Sequence, residues 1–263
     1  MITAIGIIFF SLLPAILYGL VMYYTVSYNA VSLKKIFQYL AVGFLSVGLL
    51  KYIWYFYPEW HNISKTLGGN PLVDPFKYYH ILYFVQVAFI EEISKLGVFL
   101  LYESYRRRKK TIIDHPVATM IYMGMISLGF SVIENIMYGA SSDTPMTVLW
   151  WRGITSVVAH MIFGLFMGYW ISLGRMKARE DDPTTLDVSL SGSTIGRNIV
   201  FTIIGFFSAT ILHGIYDLHL EMNGPSGITG VYVLLLMSLL GVYWCFRNLT
   251  KLHNKNKTNK IED

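Results

Sequence analysis

Almost all apolar residues of this chain fall in blocks of about 20 or more, with short polar stretches between them. Such a block is long enough to cross the hydrocarbon core of a bilayer as a helix, and a helix satisfies its own backbone hydrogen bonds there. The blocks cover residues 2–27, 36–56, 79–102, 116–139, 146–173, 195–220 and 228–246. They predict an all-α protein, a polytopic membrane helical bundle of about seven transmembrane helices. Only 14% of the 263 residues are charged, and 54% are hydrophobic. That leaves no room for a separate soluble domain, so residues 1–263 read as one integral membrane domain. The first block lacks a basic flank and is too long for a leader's apolar core, so it reads as a helix, kinked at Pro14. Residues 57–78, with Pro, Gly and Asn, read as irregular. Shorter connections are expected at 140–145 and around Gly224 and Pro225, and a polar linker at 174–194.

The basic residues orient the bundle. Lys34, Lys35, the run at 106–110, Arg175, Lys177, Arg179, Arg197 and the tail from Arg247 to Lys260 all fall on one side of the predicted membrane. The other side receives Lys65, Lys77 and Arg152. The positive-inside rule then places the N-terminus outside and the C-terminus in the cytoplasm. The net charge of +5 is scattered over loops facing the bilayer surface rather than gathered on a folded basic face, which argues against nucleic-acid binding. The single cysteine, Cys245, excludes an internal disulfide and a cysteine-based metal cluster. No repeated pair of half-bundles is visible, which counts against an inverted-repeat transporter.

Against that apolar background the buried polar groups stand out. Glu91, Glu92 and Lys95 lie in the middle of the third block. Each charge at such depth costs at least ~2.5–3.5 kcal/mol on insertion scales, so it needs a partner, a cavity or a task. Glu91 and Lys95 are four apart, on one helix face, and can pair. Glu92 is turned about a quarter-turn away, on a stripe with Ala88, Leu96 and Phe99. The fourth block carries Glu134 and Asn135. In the fifth, Ser156, His160, Gly164 and Gly168 form one stripe; in the sixth, Gly205, Ala209, His213 and Asp217 form another. Small residues on such stripes let helices approach closely. Counted along straight helices, Glu91 and His160 lie ~18–21 Å from the outer boundary, and Glu134 and His213 ~8–10 Å. Arg152 lies near that boundary, where its stem can snorkel. Lys51 and Gln86 receive no role. Four carboxylates, two histidines and a lysine on four helices are most simply explained as one shared polar site.

Hydrolysis of an amide inside a membrane needs water, a base and a group to stabilise the oxyanion. A shielded glutamate suits general-base work. Histidine and carboxylate ligands can bind a divalent metal that acidifies water, and His213 and Asp217 sit one turn apart as two ligands on a helix require. The HExxH and GxSxG patterns are absent. A proton relay in a channel or transporter would use the same residue types.

Glu91-Glu92-x-x-Lys95 resembles the EExxK motif of the PrsW family of bacterial intramembrane proteases. Phe130-x-x-x-Glu134-Asn135, His160 and His213-x-x-x-Asp217 resemble its further motifs, in the same order, over a core of about residues 79–220. The related CAAX prenyl endopeptidases and Abi immunity proteins carry histidine where this chain has Glu134 and arginine where it has Lys95. The resemblance implies a glutamate- or metal-dependent endopeptidase in the bacterial cell membrane. Glu91 or Glu92 would be the base, with Glu91 favoured because Lys95 keeps it ionised, and Lys95 would pair with the other acid. Glu134, His160, His213 and Asp217 would bind a divalent metal, zinc first, or position water and the oxyanion. Asn135 would donate to the carbonyl. Known members make the first, outer-side cut in a single-span protein during anti-sigma-factor degradation, so a single-span membrane protein is the implied partner. The alternatives are a proton-coupled transporter or channel, and an inactive immunity or interaction protein on the same scaffold.

Overall fold

The computed structural model describes residues 2–24, 31–108, 115–181, 192–223 and 227–262, and among them there are helices and no strands. The helices are α1 (Ile2–Met22), α2 (Leu33–Phe56), α3 (Ile63–Gly68), α4 (Pro75–His80), α5 (Ile90–Arg108), α6 (Pro116–Ala140), α7 (Pro145–Ile154), α8 (Ser156–Asp181), α9 (Gly192–Asn223) and α10 (Ile228–Glu262). By length and composition six helical stretches can cross a membrane: Ala4–Met22, Leu33–Phe56, Pro116–Ala140, Pro145–Met176, Gly196–Asn223 and Ile228–Asn254. The third expected span is not among them. Its backbone is helical from Pro75 to Arg108, but Ile81–Phe89 is wound as a π-helix and α5 begins with the acidic pair. Charge and irregular winding coincide there, as they often do at functional sites.

The connection at 57–78 is more ordered than its composition predicts. It forms a 3-10 turn over Pro58–Asn62, then α3, and it enters α4 through Asp74, which caps the helix by accepting from Lys77 N at 3.0 Å. Gly69, with φ of 80°, ends α3 in a conformation that favours glycine. Gln86 fastens this connection to the π segment: its side-chain oxygen accepts from Ser64 N at 3.1 Å and its carbonyl from Trp60 Nε1 at 3.2 Å. The fifth expected helix breaks at Thr155 (φ −119°, ψ −73°), which separates α7 from α8. The last helix outruns its apolar block because Leu249 is buried and Asn248 donates to Tyr169 Oη at 2.7 Å. The polar linker expected at 174–194 is helical at 174–181, within α8, and at 192–194, within α9; its residues 182–191, Lys109 and Lys110, and the Gly224–Pro225 turn lie outside the described residues.

Helix α6 is the axis of the bundle, buried from Val117 to Val132. Its neighbours approach it backbone to backbone at glycines. A Cβ on Gly129 would meet the carbonyl oxygen of Leu40 and stand 2.8 Å from the Cα of Gly43 on α2. One on Gly168 of α8 would stand 2.6 Å from the Cα of Met120. Helix α9 packs on α8 in the same way, with Gly205 facing the Met167 carbonyl, and Gly214 receives the ring of Phe84 from the π segment. At the far end from the connection 57–78, a second polar cluster ties α2, α5, α6 and α8 together. Tyr39 donates to Glu103, Arg106 Nη1 lies 3.2 Å from Glu103, and Arg175 donates to Thr119 at 2.8 Å. Arg106 and Arg175 are therefore held in the bundle as well as contributing to the charge bias.

Candidate active site

The close packing of α5, α6, α8 and α9 brings the polar residues of the four helices together. Lys95 is wholly buried. Its Nζ is 2.6 Å from Glu92 Oε1 and 3.8 Å from Glu91 Oε2. The expected Glu91–Lys95 pair is thus the weaker of two: both spacings lie on one helix face, and the surroundings choose between them. The ammonium is drawn toward His160 Nδ1, at 3.1 Å, and the face of the Phe130 ring, with 4.1 Å to its centroid.

An ammonium has only donors, so Nδ1 of His160 accepts and the ring proton sits on Nε2. That proton is donated to Glu134 Oε2 at 2.8 Å. His213 lies between carboxylates, with Nδ1 at 2.9 Å from Glu92 Oε1 and Nε2 at 3.2 Å from Asp217 Oδ2 and 3.8 Å from Glu91 Oε2. The two imidazoles meet edge to face at 5.1 Å, and Phe163 stacks on His213 at 5.0 Å. His160 and Glu134 are in contact although a straight-helix count sets them at different depths. The helical stretch is interrupted at Thr155, about one turn before His160, so a straight-helix count does not hold across it.

The residue that sequence reasoning missed is Arg152. Rather than snorkelling, its guanidinium donates to Glu134 Oε2 and Asn135 Oδ1, both at 2.7 Å, and to Ser156 Oγ at 3.0 Å, and lies 3.8 Å over the Tyr138 ring. A signal was present, since Arg152, Ser156 and His160 repeat every four residues. With Oδ1 engaged, the buried Nδ2 of Asn135 is left without a hydrogen-bond partner.

Among the described residues, one group could hold a metal ion: Glu91, His160 and His213, whose ligand atoms lie within 4.8 Å of one another. The expected ligands Glu134 and Asp217 instead each face a histidine nitrogen. The donor set fits zinc in type, with two imidazoles and a buried carboxylate oxygen, Glu91 Oε2, that has no hydrogen-bond partner. Glu134 on His160 is the kind of carboxylate that orients a metal-binding histidine. Lys95 would have to move away from His160 Nδ1 for that nitrogen to ligate.

The family model described as PrsW family intramembrane metalloprotease matches residues 36–243. The Protease PrsW of Oceanobacillus iheyensis is 29% identical over 177 residues, covering 62% of this chain and 72% of that protein. The Protease PrsW of Shouchella clausii is 25% identical over 143 residues, covering 53% and 56%, and that of Geobacillus kaustophilus 23% identical over 136 residues, covering 51% and 49%. The alignments thus span about half the length of the latter two. No solved structure matches this chain.

Proposed function

The chain belongs to the PrsW family of intramembrane metalloproteases, and from that premise we propose that it hydrolyses a peptide bond of a membrane-spanning protein with Glu91 as the base that activates water. It is a multi-pass protein of the bacterial membrane. The observation that carries the reading is the buried constellation itself: Glu91, Glu92, Lys95, His160 and His213 meet within hydrogen-bond or ion-pair reach inside a bundle of apolar helices. Structural packing alone does not call for so many costly groups in one place.

Glu91 is the base because of what its neighbour does. Glu92 is fully buried, and its Oε1 already accepts from Lys95 and lies against His213. An Oε2 without a hydrogen bond is common to both acids, but Glu91 alone keeps 7% exposure and stands in the wall of a cavity. In the reaction Glu91 takes a proton from water as the water oxygen bonds to the scissile carbonyl carbon. The C–N bond then breaks, and the proton passes to the leaving nitrogen. Lys95 and the unpartnered Nδ2 of Asn135 are the donors available to the oxyanion. Glu134 and Asp217 orient the two histidines. Glu91, His160 and His213 are the residues that would hold zinc, which when bound supplies a Lewis acid and a more acidic water. With zinc held there, Glu91 would be one of its ligands.

The helix from Pro75 to Arg108 makes a seventh crossing, giving an outside N-terminus and a cytoplasmic C-terminus. The basic residues Lys34, Lys35 and Arg247 on one face support this. The substrate is a single-span protein cut near its outer side, and an anti-sigma factor is the specific candidate. The test is cleavage of single-span substrates by the purified protein in liposomes, with metal content measured on the same sample. Turnover lost in Glu91→Gln, with the fold intact, is expected. Full turnover in both Glu91→Gln and Glu92→Gln would end the reading. A stoichiometric metal lost on changing His160 and His213 would assign the metal form.

A further inference from the structure

A cavity of about 410 Å³, or about 910 Å³ counting its open mouth, lies between α2, the π segment and α6. Glu91 and Glu134 stand in its wall, and the remaining wall is mostly apolar: Val47, Leu50, Trp54, Val87, Phe130 and Met137. An apolar pocket of this size with a few convergent polar groups has the character of a ligand site. A second observation points to a ligand: Glu91 is nine-tenths buried, yet its Oε2 has no hydrogen-bond partner, with Lys95 and His213 only at 3.8 Å. A buried carboxylate oxygen left so is costly unless something else meets it.

The shape of the cavity limits what can enter. Along α6 it runs from Phe130 to Ser141, which at 1.5 Å per residue is about 16 Å. Even the larger volume, open mouth included, gives a cross-section of about 57 Å² over that length, a groove open on one side and roughly 8.5 Å across. A helix with its side chains is about 10–12 Å across and does not fit. An extended chain advances about 3.3 Å per residue, so about five residues span the groove. Two carboxylates in the wall oppose acidic side chains, and the apolar lining favours Leu, Phe or Met.

We propose that this groove is the subsite beside the cut, holding about five residues of an unwound membrane-spanning peptide in extended form, with large apolar side chains filling it. The bound segment runs from Glu91 toward the Ser141 end of α6, so it flanks the scissile bond on the outer side. This assignment rests on the proteolytic reading of the site.

The experiment separates the two. The full chain, carrying Glu91→Gln to block cleavage, is reconstituted in phosphatidylcholine liposomes with a photoreactive benzoylphenylalanine in place of Met137 in the groove, or of Leu236 on the exposed face of α10. The probe is a single-span peptide whose window just outward of its midpoint holds leucines in one version and alanines in the other. Capture at Met137 well above capture at Leu236, falling about tenfold or more with the alanine window, is expected. Equal capture at both positions, or no response to the window, overturns the subsite. In the otherwise unchanged protein, Val87→Trp fills the groove and should raise KM for the leucine probe while leaving the alanine probe unaffected. Equal KM changes for both probes would also overturn it. Loss of cleavage by the unmodified protein would count against the proteolytic reading alone, because capture does not depend on turnover.

Discussion

Arg152 offers a direct test of how the site is held together. In the structure it is the cationic partner of Glu134, with side chains 18% and 16% exposed, and it also binds Asn135 and Ser156. Arg152→Met keeps much of the apolar stem and removes the charge. Removing one member of a buried pair costs about 3–5 kcal/mol, because the other charge stays behind uncompensated. Glu134 would still accept from His160 Nε2 at 2.8 Å, which places the loss near the lower end. A loss of about 3 kcal/mol lowers the folded-to-unfolded ratio more than a hundredfold. Unfolding in mixed detergent–SDS micelles, followed by tryptophan fluorescence, reads this. The double variant Arg152→Met/Glu134→Gln should recover most of the loss, giving a coupling energy of about 2 kcal/mol between the sites. An arginine that merely snorkels would cost about 0.5 kcal/mol or less on removal. A value that small, or a double variant as unstable as the sum of the singles, would refute the clamp.

Gly129→Leu should abolish folded protein, since its Cβ would meet the α2 backbone at Gly43, whereas Gly48→Leu, with open space at that position, should leave yield and stability near wild type in the same unfolding assay. Glu92→Gln should destabilise the fold by about 2–4 kcal/mol, because it strands Lys95 and His213, while Glu91→Gln should lose turnover with little change in stability; the opposite pattern in paired stability and cleavage measurements would exchange their roles. For topology, with Cys245 first changed to Ala, a cysteine at the exposed Leu72 should react with an impermeant maleimide in intact cells, and one at the exposed Lys251 only after permeabilisation; the reverse would invert the orientation.

What could be read in the sequence, and what could not, follows from the range over which each feature is decided. The apolar blocks and their order are local, so helix positions are legible from them to within a turn or so. The exceptions have causes that a hydropathy pattern does not carry. A π-wound stretch and a single non-helical residue, Thr155, look like any other positions in an apolar run. A straight-helix count makes Arg152 a boundary residue; in the structure its guanidinium reaches Glu134. The extension of α10 depends on Tyr169, which lies 79 residues from Asn248 in sequence.

The division between Glu91 and Glu92 is the clearest case. Periodicity shows only that adjacent residues on a helix diverge by about 100° and that Lys95 can reach either acid. The lysine settles on Glu92 because His160, from 65 residues away, and His213, 121 residues from Glu92, complete a polar ring on that side. Glu92 is thereby held through Oε1 on both sides; each acid keeps an Oε2 without a hydrogen bond, and Glu91 alone keeps residual exposure. The acid that a one-dimensional reading pairs most firmly with the lysine is therefore the one that tertiary packing leaves facing the groove, and it is that position, rather than the pairing, on which the proposal of Glu91 as the base rests.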